Sequence, residues 1–119
     1  MGFDTYDIKI SHAIRAFENS RDTQAAKNEL HSIVGTDTFT QSLSIFQIFD
    51  FSLSEFGSMQ FFKELCGLLK ALKEGGNISK EAVSFALELT VDRLDDIQLE
   101  SPHAPEFFQF ISRDLKSNL

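Results

Sequence analysis

Apolar residues recur at three- and four-residue spacing along almost the whole chain, and that period favours helix over any other regular structure. Ile10, Ala13, Ile14 and Phe17 stand at i, i+3, i+4 and i+7, one face of an amphipathic helix. The segment Asn19-Ser20-Arg21-Asp22 breaks the pattern. Asp22 can then cap a second helix with the face Ala26, Leu30, Ile33 and Val34, ended by Gly35. No stretch alternates cleanly between apolar and polar, and hairpin-turn dipeptides are scarce, so strands are not expected.

The same reading continues to the end of the chain. Asp37 or Thr36 caps a third helix in which Phe39, Leu43, Ile45, Phe46, Ile48 and Phe49 are apolar nearly all round, predicting burial on several sides. A polar, Gly-containing connection from Ser52 to Ser58 follows. The fourth helix carries Phe61, Phe62, Leu65, Cys66, Leu68, Leu69 and Leu72, and Gly75-Gly76 closes it. Ser79 caps a fifth, with Val83, Leu87, Val91 and Leu94 as its expected buried stripe and Lys80, Ser84, Glu88 and Asp92 on other faces. A connector from Asp95 to His103 leads to a last helix bearing Phe107, Phe108, Phe110, Ile111 and Leu115, with Pro105 in its first turn. The expectation is an all-α fold of about six helices. Short connections make consecutive helices antiparallel, so the hairpins stack as a short solenoid or close into a bundle, which periodicity does not decide.

A chain of 119 residues suits one domain spanning 1–119, since a single core of this size buries about two-thirds of the unfolded surface. With 42% hydrophobic residues, thirteen of them Phe, burial can offset the conformational entropy of folding. Eighteen acids against eleven bases give a net charge of −7, which works against binding a polyanion directly. The one cysteine, Cys66, cannot form an intrachain disulfide and sits on an apolar stripe, which suits packing in a reducing interior. Leu65 to Leu72, broken by Gly67 and Lys70, is far shorter than the ~20 residues of a membrane span, and no secretory signal is read. Tyr6 stands where a myristoylation signal after Met1-Gly2 needs Ser or Thr.

Little in the chain suits catalysis or a cofactor. His12, His31 and His103 lie far apart and in no nucleophile or metal pattern, and Gly75-Gly76 stops a helix rather than cradling phosphate. Lys63, Lys70 and Lys73 could share a face of the fourth helix, with Lys80 beyond, but they are the only candidates for an RNA-binding stripe. The unusual feature is acidic. From Glu88 to Glu106 there are six acids, Glu88, Asp92, Asp95, Asp96, Glu100 and Glu106, against one base, Arg93. Leu94, Ile97 and Leu99 interrupt Asp92 to Glu100 where a calcium loop needs oxygen ligands. As a solvated helix end the segment needs no function, with Glu106 at the start of the last helix and Ser101 or His103 helping to cap it. A functional reading has Ile97 and Leu99 plugged into the core, holding Asp96 and Glu100 outward on a rigid connector where they bind a basic partner at lower entropic cost.

The run Leu94-Asp95-Asp96-Ile97-Gln98-Leu99-Glu100-Ser101-Pro102-His103-Ala104-Pro105, between a helix and an aromatic-rich one, resembles the closing signature of the MA-three domain. That signature reads Leu or Pro, Asp, Ile, any residue, Leu, an acid, any residue, Pro, and Asp95 to Pro102 follows it closely. Ser20-Arg21-Asp22-Thr23-Gln24-Ala25-Ala26 looks like the family's first turn. The likeness runs from about Ile8 to Leu115 but is specific only in the last third; between Gly35 and Ser58 it is one of helix pattern. MA-three domains occur in the scaffold subunit of the cap-binding translation initiation complex and in programmed cell death protein four. The resemblance implies a HEAT-like stack of antiparallel helix pairs, a monomeric module of a larger protein, cytoplasmic or also nuclear, with no cofactor and no direct contact with nucleic acid or membrane. It also implies a partner, the DEAD-box RNA helicase of translation initiation, met by Asp96 and Glu100 with Asp92 and Asp95 beside them. Glu100 departs from the family's more usual Asp. The competing reading is a helical scaffold that binds another protein in an apolar groove lined by its surplus Phe residues, the acids serving solubility.

Overall fold

Helix starts in this chain are set by short polar side chains that accept from backbone N–H groups left free in the first turn. The computed structural model describes residues 2–119, with side chains from residue 8 onward, so the lipidation reading on Met1, Gly2 and Tyr6 lies outside the described side chains. Six helices and no strand occupy the described residues: α1 Gly2–Ser20, α2 Thr23–His31, α3 Thr38–Glu55, α4 Met59–Glu74, α5 Lys80–Glu100 and α6 Ala104–Asn118. Asp22 accepts from the Ala25 N–H at 3.1 Å, Ser58 from Phe61 at 3.3 Å and Ser79 from Ala82 at 3.1 Å. Asp37 accepts from Thr40 at 2.9 Å while the Thr40 hydroxyl accepts from the Asp37 N–H, a capping box. Gly75-Gly76 does end α4: Gly76 has φ +78°, and the N–H groups of Gly76 and Asn77 donate to Lys73 and Leu72, closing a Schellman turn.

Several boundaries differ from the sequence reading. α2 stops at His31, before Gly35, and Gly35 instead lies against Thr40, whose hydroxyl would be 1.9 Å from an added Cβ. α3 continues through the expected connection to Glu55, because Ser52 and Leu53 are buried and keep the chain helical. Phe39, expected in the core, is exposed at the start of α3.

The stripe on α5 is also shifted. Val83 and Leu87 are buried as expected, but Leu94 is half-buried, Val91 is exposed, and Ala82, Ala86, Thr90 and Ile97 are buried beside them. The cause is the neighbour: α3 and α5 form the most extensive helix pair, and small side chains, with Ser42 and Ser52 buried on α3, let the axes approach. The hydroxyls of Ser42, Ser44 and Thr90 donate to the carbonyls four residues back, whereas the buried Ser52 hydroxyl has no hydrogen-bond partner among the described residues.

Long-range contacts show how the helices run. Ser79 N–H donates to Gln41, Arg93 reaches Asp50 and Ser101 donates to Ser54, so α3 and α5 ascend together. Arg21 with Glu64 and His31 with Asn77 give the same sense to α2 and α4. Phe62 on Phe107 and Lys70 on Asp114 do so for α4 and α6. The helices thus form two rows, α1–α3–α5 and α2–α4–α6, with one shared apolar core. The radius of gyration, 12.9 Å, is near the ~13.5 Å of a globular chain of this length. Among the described residues no helix is long and apolar enough to cross a membrane.

Phe61 lies at the centre of the aromatic packing, with ring centroids 6.1 Å from Phe17, 4.6 Å from Phe56 and 5.3 Å from Phe62. The Arg21 guanidinium covers it at 5.5 Å and also binds Glu64. Phe61→Ala is expected to cost ~3–5 kcal/mol in chemical denaturation, as loss of a fully buried ring does. The hydrogen bonds from Arg21 and then Gln60 hold the Glu64 carboxyl below its ordinary value of 4.5. A carboxylate with a lowered folded-state pKa stabilises the fold above its unfolded value and ceases to as pH falls through the folded value. Glu64→Gln should therefore lower the melting temperature at neutral pH, and the gap from wild type should close on acidification below 4.5; a gap independent of pH would show that the charge is not responsible.

Candidate functional site

The segment expected to be a connector is helical. α5 runs unbroken to Glu100, Ser101 caps it through an N–H bond to the Ile97 carbonyl, and only Ser101 to His103 separate it from α6. The Ser101 hydroxyl donates to the Ser54 carbonyl at 3.0 Å, tying the end of α5 to the end of α3. His103 takes the N-cap position of α6 with no side-chain cap bond, and Pro105 lies in the first turn.

This continuity corrects the reading of Ile97 and Leu99. Residues two apart on a helix point about 200° apart, so both cannot face one core. Ile97 is buried, whereas Leu99 is 80% exposed. The acids are rearranged to match: Asp92, Asp96 and Glu100 fall four apart and line one side of α5, with Asp95 a turn from Asp92. All four are exposed.

Their surroundings are not equal. Arg93 lies between two carboxylates, with Nη1 at 3.2 Å from Asp96 and Nε at 3.3 Å from Asp50 on α3. One cation between two anions leaves the trio net negative. The Asp96 side chain stays 69% exposed, so this pair is a surface contact of ~0–1 kcal/mol that leaves oxygen surface open to a partner. Among the described residues Asp92, Asp95 and Glu100 take part in no ion pair. Asp50 was invisible in the sequence as a member of the site, because it arrives through the parallel register of α3 and α5.

Position on the helix adds to the charge. The last turns of an α-helix carry partial negative charge on their free carbonyls, where an anion costs ~0.3–1 kcal/mol and a cation is favoured. α5 has no base in its last turn, and it places Asp96 and Glu100 close to that end. Local electrostatics therefore opposes the arrangement, and a cation brought from outside would relieve it.

Other candidate chemistry is occupied or dispersed. His12 meets Glu29 at 3.0 Å, His31 bonds Asn77, and His103 lies 3.6 Å from Glu106. Among the described residues no three His, Cys, Asp or Glu side chains gather as a metal site would. Cys66 is buried, and its thiol is pushed up to about 12 by desolvation and by the nearby Asp114 carboxylate, so it is not a thiolate at neutral pH. Lys70 pairs with Asp114 at 2.8 Å, which removes the middle charge from the lysine row on α4. Of the described Phe side chains only Phe39 and Phe85 are exposed, while Phe46, Phe51, Phe56, Phe107 and Phe110 are half-buried against the core.

No protein-family model matches the chain, and no curated protein or solved structure matches it either. Truncation separates the helical arrangement from a connector: Ile97→Ala is expected to cost ~2–5 kcal/mol in urea unfolding, and Leu99→Ala less than ~0.5 kcal/mol. Similar losses at both positions would mean that both side chains are buried.

Proposed function

We propose that this chain is a non-enzymatic adaptor module that docks a basic face of another protein through Asp96 and Glu100, with Asp92 and Asp95 extending the contact. The observation that carries the proposal is the run of exposed carboxylates at the end of α5, where the helix disfavours them and one internal cation serves Asp96 and Asp50 together. Ile97 beneath them is buried and Ser101 is tied to α3, so the acids are held on a supported helix. Such groups bind with less loss of conformational freedom than acids on a mobile loop.

The resemblance to the MA-three domain in Asp95 to Pro102 supplies the partner: the DEAD-box RNA helicase of translation initiation, which this module would modulate in the cytoplasm as part of a translation scaffold or regulator. In that reading the two rows of helices are a HEAT-like stack of three antiparallel hairpins, and its outward acids meet Arg or Lys on the helicase as charge-assisted hydrogen bonds. RNA is not contacted directly.

Combining Asp96→Ala with Glu100→Ala should weaken helicase capture by about 2 kcal/mol, roughly thirtyfold, while the melting temperature stays the same or rises. Binding should also fall as salt is raised. Equal capture by wild type and double variant in a quantitative pull-down would remove the site, and capture indifferent to salt would point to an apolar contact.

A further inference from the structure

The first half of α5 carries a second surface that the acidic end does not explain. Along the edge of the buried row Ala82, Ala86 and Thr90, Phe85 is 56% exposed and Leu89, one turn on, is 37% exposed. Glu81, Glu88 and Asp92 line the solvent edge of this pair. A shallow hollow is lined by Lys80, Glu81, Ser84, Phe85 and Glu88, so an aromatic ring borders a depression with a carboxylate on either side. Among the described residues Phe85 has no ring contact and Glu81, Glu88 and Asp92 have no ion pair.

We infer that this face docks a basic amphipathic helix of a partner protein. The pattern on α5 dictates the complement. An apolar pair at i and i+4 is matched by apolar side chains three or four apart on a second helix, as in helix-to-helix recognition generally. Three acids against one lysine, Lys80, call for Arg or Lys on the flanks of that helix. An Arg laid in the hollow places its guanidinium over the Phe85 ring and within reach of Glu81 and Glu88, combining cation–π attraction with charge-assisted hydrogen bonds. A second copy of the chain fits poorly, since it would bring like charges together at a net −7 per copy. An RNA strand meets the same acids.

The inference does not depend on the helicase reading. Phe85 and Glu100 are fifteen residues apart on one helix, about 22 Å, so the two surfaces are centred on different side chains and share only Asp92 at their border.

The test is a titration of the isotope-labelled full chain with an eighteen-residue model helix bearing Leu at i, i+4, i+7 and i+11 and Arg or Lys at the flanking positions. Two control peptides replace the bases by Glu or the Leu residues by Ser. Saturable amide shifts centred on Glu81 to Asp92 are expected with the basic amphipathic peptide alone. Phe85→Ser, and separately Glu81→Lys with Glu88→Lys, should weaken its Kd at least tenfold. Asp96→Ala with Glu100→Ala should leave it unchanged. All these positions are exposed, and matching thermal melts verify that the variants fold. The inference is overturned by shifts centred elsewhere, by absence of saturation, or by equal binding of either control peptide. A dimer in sedimentation that Phe85→Ser dissolves would equally overturn it, because the face would then belong to a second copy.

Discussion

The guanidinium of Arg21 over the face of Phe61 is the contact from which the placement of every other element can be traced. Arg21 ends α1 in the left-handed region, φ 57°, a conformation a non-glycine residue adopts at some cost. Its N–H bonds the Phe17 carbonyl at 2.6 Å and its Nε the Glu18 carbonyl at 2.8 Å, so the turn is closed by the residue that is strained in it. The same side chain crosses to Glu64 and Phe61 on α4. That joins the first turn to the middle of the second row before any apolar contact between them is counted. Phe62, next to Phe61, stacks on Phe107 at 4.7 Å and sets where α6 begins. Because only Ser101 to His103 connect α5 to α6, the position of α6 fixes the end of α5, and with it the acidic row.

The second constraint is the close, parallel contact of α3 with α5. Parallel neighbours in the row cannot be joined by a short loop, so α4 must intervene, and the order of the two rows follows from that. Small buried residues on both helices draw the axes together, leaving Phe85, Leu89 and Val91 of α5 outside the contact while Val83, Leu87 and Ile97 are buried. That explains why Phe85, Leu89 and Val91 are exposed on a helix whose alanines are buried. It also brings Asp50 to Arg93 and so divides the only cation of the acidic segment between two helices.

Legibility from sequence tracked the range of the interaction. Asp22, Asp37 and Ser79 were readable as caps because capping depends on side chain and backbone within three residues. Gly75-Gly76 was readable for the same reason, and the face of Ile10, Ala13, Ile14 and Phe17 was buried as its period demanded. Gly35 misled, since a glycine after an apolar run looks like a helix stop, and here its lack of a Cβ answers to Thr40 instead. Ser52 misled too, because a serine after a helix reads as loop when nothing in the sequence says that a neighbour buries it. The α5 stripe was legible at Val83, Leu87 and half-buried Leu94 but not at Val91: ranking residues by hydrophobicity passes over Ala82, Ala86 and Thr90, which the close packing selects by size. In the candidate site the acids could be picked out by charge alone, but the part played by Asp50 could not, being a matter of register between helices forty residues apart in the chain.

Helicity through Glu100 changes what the acidic residues can do. On an irregular connector their spacing would be whatever the loop adopted, and only two apolar plugs would hold it. On a helix, residues four apart rise by about 6 Å and turn by about 40°, so Asp92, Asp96 and Glu100 present a row of defined pitch. A partner with cations at the same pitch meets all three without rearranging the backbone. The helix that sets this geometry also opposes it, because its C-terminal carbonyls add negative charge where the carboxylates gather. A sequence selected only for stability would place Lys or Arg there. Carboxylates in that position, on a helix anchored by Ile97 and Ser101, make the free chain slightly less stable than it need be, and a cation brought against them would recover that cost.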